Sequence, residues 1–139
     1  MSPEASGTAV EAVEHGGTIL AYLFRTTPTP DRTTFVTPPS LPLQVGHVVY
    51  PAGGAVRPHR HVPVTRTLGA TSEVVLVQEG RCALDLYDDA GVLVTTRELG
   101  TGDCAIFVAG GHGLRMHEHT VLLEVKQGPY GGPDEKECF

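Results

Sequence analysis

Short apolar runs, separated by glycine and proline turns, recur along most of this chain. Within many runs apolar and polar residues alternate, which is the pattern of half-buried β-strands. The clearest unit is a hairpin, in which residues 73–78 and 81–87 are strands joined by the tight turn Glu79-Gly80. Further strands are predicted at residues 18–25, 33–36, 43–50, 92–99, 103–108, 113–117 and 121–127. Many short strands at regular spacing predict an all-β sandwich or barrel.

The length of the chain predicts a single domain. At 139 residues it has room for one modest hydrophobic core. Its 17 glycines and 11 prolines favour turns over long helices. Residues 1–15 are mostly small, polar or acidic, with a weak helical tendency over residues 9–14, and are predicted to be a flexible N-terminal segment. Residues 16–139 are predicted to form the one domain.

Charge and composition exclude several classes of function. The formal net charge of −6 leaves no basic face for nucleic acid. No apolar run is long enough to cross a membrane, and the N-terminus lacks the basic start and apolar stretch of a signal peptide. A cytoplasmic location is therefore expected. The odd number of cysteines fits no zinc or redox motif, and Cys82 and Cys104 are expected in the core and Cys138 at the surface.

Four side chains form a candidate metal site. Residues two apart in an extended segment point to the same face, so His59 and His61 can offer two imidazoles to one cation. Glu73 and His112, on neighbouring strands, would complete a set of three histidines and one glutamate. Such a set suits divalent Fe, Mn, Ni, Cu or Zn. Val75 and Val77 share a face with Glu73, as do Leu114 and Met116 with His112, which predicts an apolar cup around the ion.

The same residues resemble the two motifs of the cupin superfamily. Gly53 stands five residues before His59-Arg60-His61, and Glu73 stands six residues before Gly80. Residues 102–112 follow the second motif, from Gly102-Asp103 through an apolar run to Gly110-Gly111-His112. There are departures: eleven residues separate His61 from Glu73, where the family has three or four, and Val108 replaces the usual proline before a turn one residue shorter.

The resemblance implies a jelly-roll barrel, a double-stranded β-helix, over residues 16–139. It also implies one bound divalent metal, with Fe²⁺ favoured and Mn²⁺, Ni²⁺, Cu²⁺ or Zn²⁺ as alternatives, and a homodimer. The leading functional hypothesis is a mononuclear Fe(II) oxygenase acting on a small polar metabolite. The second is an isomerase, epimerase or lyase acting on a sugar or keto acid, with the metal as Lewis acid. The third is a non-catalytic, metal-dependent binding protein.

The sequence assigns no catalytic residue, because no general base is evident outside the four ligands. Arg66 has two interpretations, as a contact for an anionic substrate or as a solvated loop residue. His47 is interpreted as a core or surface residue or a support for a ligand. His117 and His119 are expected to be solvated, and Arg115 to point away from the interior. Glu124 is out of phase with its apolar neighbours along the strand, so it is expected either at an interface or behind a metal ligand.

Overall fold

The computed structural model describes residues 10–139, and apart from one short 3₁₀ helix the regular structure in this part of the chain consists of β-strands. Its strands are β1 (Val10–His15), β2 (Thr18–Phe24), β3 (Thr34–Phe35), β4 (Gly46–His47), β5 (Glu73–Glu79), β6 (Arg81–Tyr87), β7 (Leu93–Gly100), β8 (Cys104–Phe107), β9 (Gly111–Met116) and β10 (Val121–Lys126). A short 3₁₀ helix over Pro133–Glu135 follows. The prediction of an all-β protein is confirmed.

The strands form three antiparallel sheets. The largest has the order β1-β2-β8-β5-β10, a second has the order β7-β6-β9, and β3 pairs with β4 alone. The two strands and the turn of the predicted hairpin are present as β5, Gly80 and β6, but the prediction that they pair with each other is wrong. β5 pairs with β8 and β10, and β6 pairs with β7 and β9, because the chain crosses from one sheet to the other at Gly80. In residues 10–139 no sheet closes on itself as a barrel.

The hydrophobic core lies between the two larger sheets. Leu23 from β2 and Val75 and Val77 from β5 pack in one cluster with Leu84 and Leu86 from β6. Cys82 is fully buried in the same cluster, as its alternation with Leu84 predicts. Cys138 is exposed, as expected. Cys104, which was expected in the core, is only partly buried and packs against a separate cluster formed by Tyr22, Phe24 and Ile106.

An ion pair on the outer face of the smaller sheet fixes β9 against β6. Asp85, 7% exposed, accepts hydrogen bonds from Arg115 Nε at 2.7 Å and Nη2 at 2.9 Å. The hydroxyl of Thr96 on β7 donates to the same carboxylate at 2.6 Å. These hydrogen bonds, with Arg115 the largest cause, lower the pKa of Asp85 to about 2. Arg115 therefore points away from the core, as expected. Its ion pair with Asp85, together with the hydrogen bond from Thr96 to the same carboxylate, connects β9, β6 and β7.

The N-terminal region differs from the prediction of a flexible segment over residues 1–15. Residues 1–9 lie outside the described part of the chain, but Val10–His15 form strand β1. β1 is paired along its length with β2, and Val13 is 5% exposed in the core. Pairing with an apolar neighbour therefore overrides the weak helical tendency of the acidic residues around Val13.

A long exposed connection, residues 48–72, joins β4 to β5 and contains neither helix nor strand. We call it the insert loop. It begins early, because β4 covers only Gly46–His47 of the predicted strand 43–50. The side chains of Val56, Val62 and Val64 are all more than half exposed to solvent. Among residues 10–139 there is no helix of a length and apolarity suited to crossing a bilayer.

Candidate metal centre

Two of the four predicted ligands meet across the core. Glu73 is the first residue of β5 in the larger sheet, and His112 lies on β9 in the smaller one. The distance from His112 Nε2 to Glu73 Oε2 is 3.5 Å. The side chain of Glu73 is 18% exposed and that of His112 is 30% exposed, so the pair lies at the margin of the core and is open to solvent on the His112 side. The fold therefore brings together a carboxylate and an imidazole that are 39 residues apart in sequence.

Phe107 places both groups. It is paired with Glu73 between β8 and β5, and it is 6% exposed. Its ring stacks on the imidazole of His112, with centroids 3.7 Å apart and planes inclined by 3°. This stack holds the imidazole parallel to an aromatic wall while its edge faces the carboxylate.

The turn before His112 depends on a glycine. Gly110 has a φ of 68°, in the left-handed region that favours glycine. A Cβ at this position would also clash with the backbone carbonyl oxygen of Tyr87. β9 begins directly after this closely packed turn. Its second residue, His112, lies opposite Leu86 of β6, whose side chain is fully buried.

A second carboxylate, Glu124 of β10, adjoins the pair, which is one of the two positions, at an interface or behind a ligand, that the sequence left open for it. Glu124 lies opposite Val75, two residues along β5 from Glu73. Burial raises the pKa of Glu73 to about 7, together with a hydrogen bond to Glu124 and the charge of that carboxylate. The hydrogen bond lowers the pKa of Glu124. Of the two carboxylates, Glu73 is therefore the one that is protonated more readily.

The electrostatics of the other groups favour a neutral imidazole. Burial lowers the pKa of His112, so its ring tends to be uncharged and able to donate a lone pair. Lys126, paired with Glu73, and Lys136 near the C-terminus each lower the pKa of Glu73 through their charge. The register that brings Glu124 and Lys126 beside Glu73 follows from strand pairing, which alternation within β10 alone does not reveal.

The spacing of Glu73 and His112 fits two ligands of one ion. Ligand atoms about 2.1 Å from a metal, at angles of about 90–110°, lie about 3.0–3.4 Å apart. The observed 3.5 Å is close to the upper end of that range. One imidazole and one carboxylate also match the donor preference of divalent Fe, Mn and Zn.

The other two predicted ligands, His59 and His61, lie together but apart from any strand, on the exposed insert loop. Their ring centroids are 5.4 Å apart. His59 Nδ1–H donates to the carbonyl oxygen of Arg57 at 2.8 Å, which leaves Nε2 of a neutral ring as the acceptor. Within residues 10–139 no three histidine, cysteine, aspartate or glutamate side chains converge as a metal site. The fold thus gathers the predicted ligands as two pairs.

The remaining candidate residues lie elsewhere. His47 packs against the ring of Phe24, with centroids 5.6 Å apart. His117 bonds to Glu98 of β7, with 2.8 Å between Nε2 and Oε2, while His119 is exposed. Arg66 is an exposed residue of the insert loop. Met116 is 49% exposed, so of the predicted apolar cup only Val75, Val77 and Leu114 pack in or against the core.

Comparisons with protein-family models, with curated proteins and with solved structures gave no match to this chain. What the Glu73–His112 pair can bind is therefore inferred from its geometry alone.

The raised pKa of Glu73 predicts an unusual pH dependence for the metal-free protein. Between pH 4.5 and about 7 the unfolded chain loses the Glu73 proton and the folded chain keeps it, so stability falls as pH rises. Glu73→Gln has no such proton, and should be more stable than the wild type at pH 8 by on the order of 2 kcal/mol, with the difference vanishing near pH 4.

Urea unfolding of chelator-treated protein at several pH values measures this effect. Glu79→Gln, at the exposed end of the same strand, is the matched control. A constant difference between Glu73→Gln and the wild type across this pH range would contradict a raised pKa for Glu73.

Proposed function

We propose that this protein is a metal-dependent enzyme of the cupin type that acts on a small polar metabolite. Mononuclear Fe²⁺ oxygenase-type activity is the leading reaction class. The observation that carries the proposal is the meeting of Glu73 and His112, 3.5 Å apart, between two sheets. These are the residues that resemble the metal-binding positions of both cupin motifs.

The proposed fold is the cupin jelly roll, with the two larger sheets as its walls. The arrangement of a five-stranded and a three-stranded antiparallel sheet around one core supports this proposal. The candidate centre lies at one end of that core, where Phe107 and Val75 supply apolar surroundings. Such surroundings strengthen the interaction between an ion and its ligands.

In the proposed centre, Glu73 and His112 hold the ion from the two sheets, and His59 and His61 complete the set from the insert loop. The hydrogen bond from His59 Nδ1 to a backbone carbonyl supports this role, because it is the kind of contact that orients metal-binding histidines. Chain length permits the approach, since eleven extended residues reach about 40 Å. The bound ion would supply redox or Lewis-acid chemistry at its open positions.

The substrate proposed for this site carries negative charge. Arg57, Arg60 and Arg66 lie on the same loop as His59 and His61, and residues 56–68 contain no acidic side chain. None of the three arginines forms a salt bridge with another residue in the range 10–139. If the histidines approach the core, these guanidinium groups approach with them and favour a carboxylate or phosphate.

Glu124 favours the second candidate, an isomerase, epimerase or lyase with the metal as Lewis acid. Its carboxylate is exposed and adjoins Glu73, and its pKa is lowered, so it is ionised at neutral pH. A carboxylate beside a metal site is able to take a proton from a bound sugar or keto acid. The general base that the sequence did not reveal is thus available.

Metal analysis of the untagged protein tests the proposal. After anaerobic reconstitution with Fe²⁺, Mn²⁺, Ni²⁺, Cu²⁺ or Zn²⁺ in turn, we expect one ion per chain for at least one metal. The double variant His59→Ala/His61→Ala should lose it, whereas His15→Ala/His119→Ala, with two exposed histidines elsewhere, should keep it. Absence of stoichiometric metal, or equal retention by both double variants, contradicts the proposed centre.

Activity assays on the loaded protein then separate the candidates. O₂ consumption with small hydroxy acids, keto acids or sugars supports the oxygenase. Conversion of the same compounds without O₂, lost in Glu124→Gln, supports the Lewis-acid enzyme. Tight binding without turnover identifies a non-catalytic binding protein instead.

A further inference from the structure

Residues 128–139 leave the larger sheet beside Glu73, and we call them the closing segment. β10 ends at Lys126, and the next residue, Gln127, is tied to Ser72 by two hydrogen bonds. The Gln127 N–H donates to the carbonyl oxygen of Ser72 at 3.2 Å, and the Ser72 N–H donates to Gln127 Oε1 at 2.9 Å. Since Ser72 precedes Glu73, the closing segment starts next to the carboxylate of the candidate metal centre.

The far end of the closing segment lies on the outer face of the smaller sheet. The ring of Phe139 packs edge-on against Tyr87, with centroids 5.1 Å apart and planes inclined by 82°. It also covers Gly111, where a Cβ would lie 2.6 Å from Phe139 Cζ. Gly111 precedes His112 on β9, so the two residues face opposite sides of the sheet. The segment therefore runs from Glu73, past the start of β9, to the outside of the strand that carries His112.

Between these ends the closing segment passes the open side of the candidate centre. Burial and the hydrogen bond to Glu124 raise the pKa of Glu73, and the charge of Lys136 lowers it. The same charge lowers the pKa of Glu124, after the hydrogen bond from Glu73, and the pKa of His112, after burial. All three groups therefore lie within electrostatic reach of this ammonium. Lys136 forms no salt bridge with a carboxylate in residues 10–139, so its charge is available to a ligand.

The closing segment is held by few contacts and can open. In the described range 10–139, no backbone-to-backbone hydrogen bond joins residues 128–139 to either sheet. The helical turn Pro133–Glu135 bonds within the segment itself. The ring of Phe139 remains 74% exposed despite its contacts. Segments with few buried apolar contacts and a solvated backbone open at a low free-energy cost.

We propose that the closing segment is a lid over the candidate centre, anchored by Phe139, and that Lys136 on this lid holds the anionic group of the substrate. In the open state the lid admits an ion or a substrate, and in the closed state it completes the site. The lid is a property of the metal-free chain, so it is independent of the function proposed above. The role of Lys136 rests on that function, because the carboxylates of Glu73 and Glu124 repel an anion unless a metal is bound.

Carbethoxylation of histidines in the metal-free protein tests the lid. Diethyl pyrocarbonate modifies accessible neutral imidazoles, and peptide mass spectrometry follows the rate at each residue. Phe139→Ala frees the far end of the closing segment, so it should raise the rate at His112 by about twofold or more. The exposed His119 is the internal reference, and its rate should not change. Circular dichroism should show the β-structure of the wild type, since Phe139 is mostly exposed.

A second variant displaces the ring of Phe139 without altering it. Gly111→Ala puts a Cβ 2.6 Å from Phe139 Cζ, so the ring must move and the rate at His112 should rise as in Phe139→Ala. The matched control is Gly113→Ala on the same strand, where a Cβ would meet Tyr87 Cε2 at 3.8 Å, an ordinary contact. Neither glycine has a positive φ, so alanine fits both backbones. A rate at His112 that fails to rise in either ring variant, or that rises equally in Gly113→Ala, would overturn the lid.

The role of Lys136 is tested on protein loaded with a metal that it retains, with inorganic phosphate as the probe anion and isothermal titration as the readout. At equal metal content, Lys136→Gln should weaken phosphate binding by about tenfold. Lys136→Arg should bind as the wild type does, and so should Arg32→Gln, which removes an 84% exposed cation beside Asp31.

Phosphate binding that is absent from the wild type, or unchanged in Lys136→Gln, overturns the role of this lysine. A wild-type chain that retains none of the metals overturns the proposed function and this role with it. The carbethoxylation rates of the metal-free chain decide the lid in either case.

Discussion

Replacing His112 by alanine is expected to lower the affinity for a divalent metal by about a hundredfold or more. In zinc-finger peptides four protein ligands together contribute about 10–16 kcal/mol to zinc binding, so one ligand accounts for about 3 kcal/mol. Of the four proposed ligands, His112 is the one most firmly placed by the fold, through its stack on Phe107 and its position opposite Leu86. Losing it leaves Glu73 without the imidazole at 3.5 Å.

Isothermal titration with Zn²⁺ and Mn²⁺ at fixed pH measures the loss, with His119→Ala as the control for an exposed histidine. Affinity should also rise with pH up to and through 7, because a metal must displace the proton that Glu73 holds with a pKa of about 7. A His112→Ala variant that binds as tightly as the wild type would remove this residue from the ligand set.

Leu86→Ala should lower the free energy of unfolding by about 3 kcal/mol, within the usual span of about 2–5 kcal/mol for buried leucines. Leu86 is fully buried between the sheets and is the β6 partner of His112. The cavity left behind would lie next to the imidazole, so we expect weaker metal binding in addition to lower stability.

Urea unfolding of the metal-free proteins measures the stability change. The control is Leu93→Ala on β7, since Leu93 is 52% exposed and its loss should change stability by less than about 0.5 kcal/mol. Equal effects of the two substitutions would mean that the core does not lie where the sheets place it.

Much of the strand pattern is local and therefore visible in the sequence. Strands β5 and β6 appear at the predicted positions, because alternating apolar residues on both sides of Gly80 define two strands and a turn. That they would pair with other strands and not with each other was not visible, because pairing depends on residues distant in sequence. Val10–His15 was not recognised as a strand, because only pairing with β2 reveals its role. The short β4 shows the converse, since apolar residues that find no partner strand remain exposed in the insert loop.

The candidate site divides in the same way. His59 and His61 are close to each other because they are two residues apart, which holds in an extended loop as well as in a strand. The spacing did not show that they would lie in a loop. Glu124 was left open between an interface and the site, because its neighbours in space are set by the register of β10 on β5.

The residues of this chain determine, by themselves, an all-β protein of short strands, the turns between them, and a set of metal-binding residue types in cupin-like order. These properties depend on contacts between residues close in sequence. The tertiary structure alone decided that Glu73 and His112 meet, that Glu124 joins them, and that β10 is left at an edge. Each of these depends on which distant strands pair and in what register, and that choice is made by the burial of the whole core.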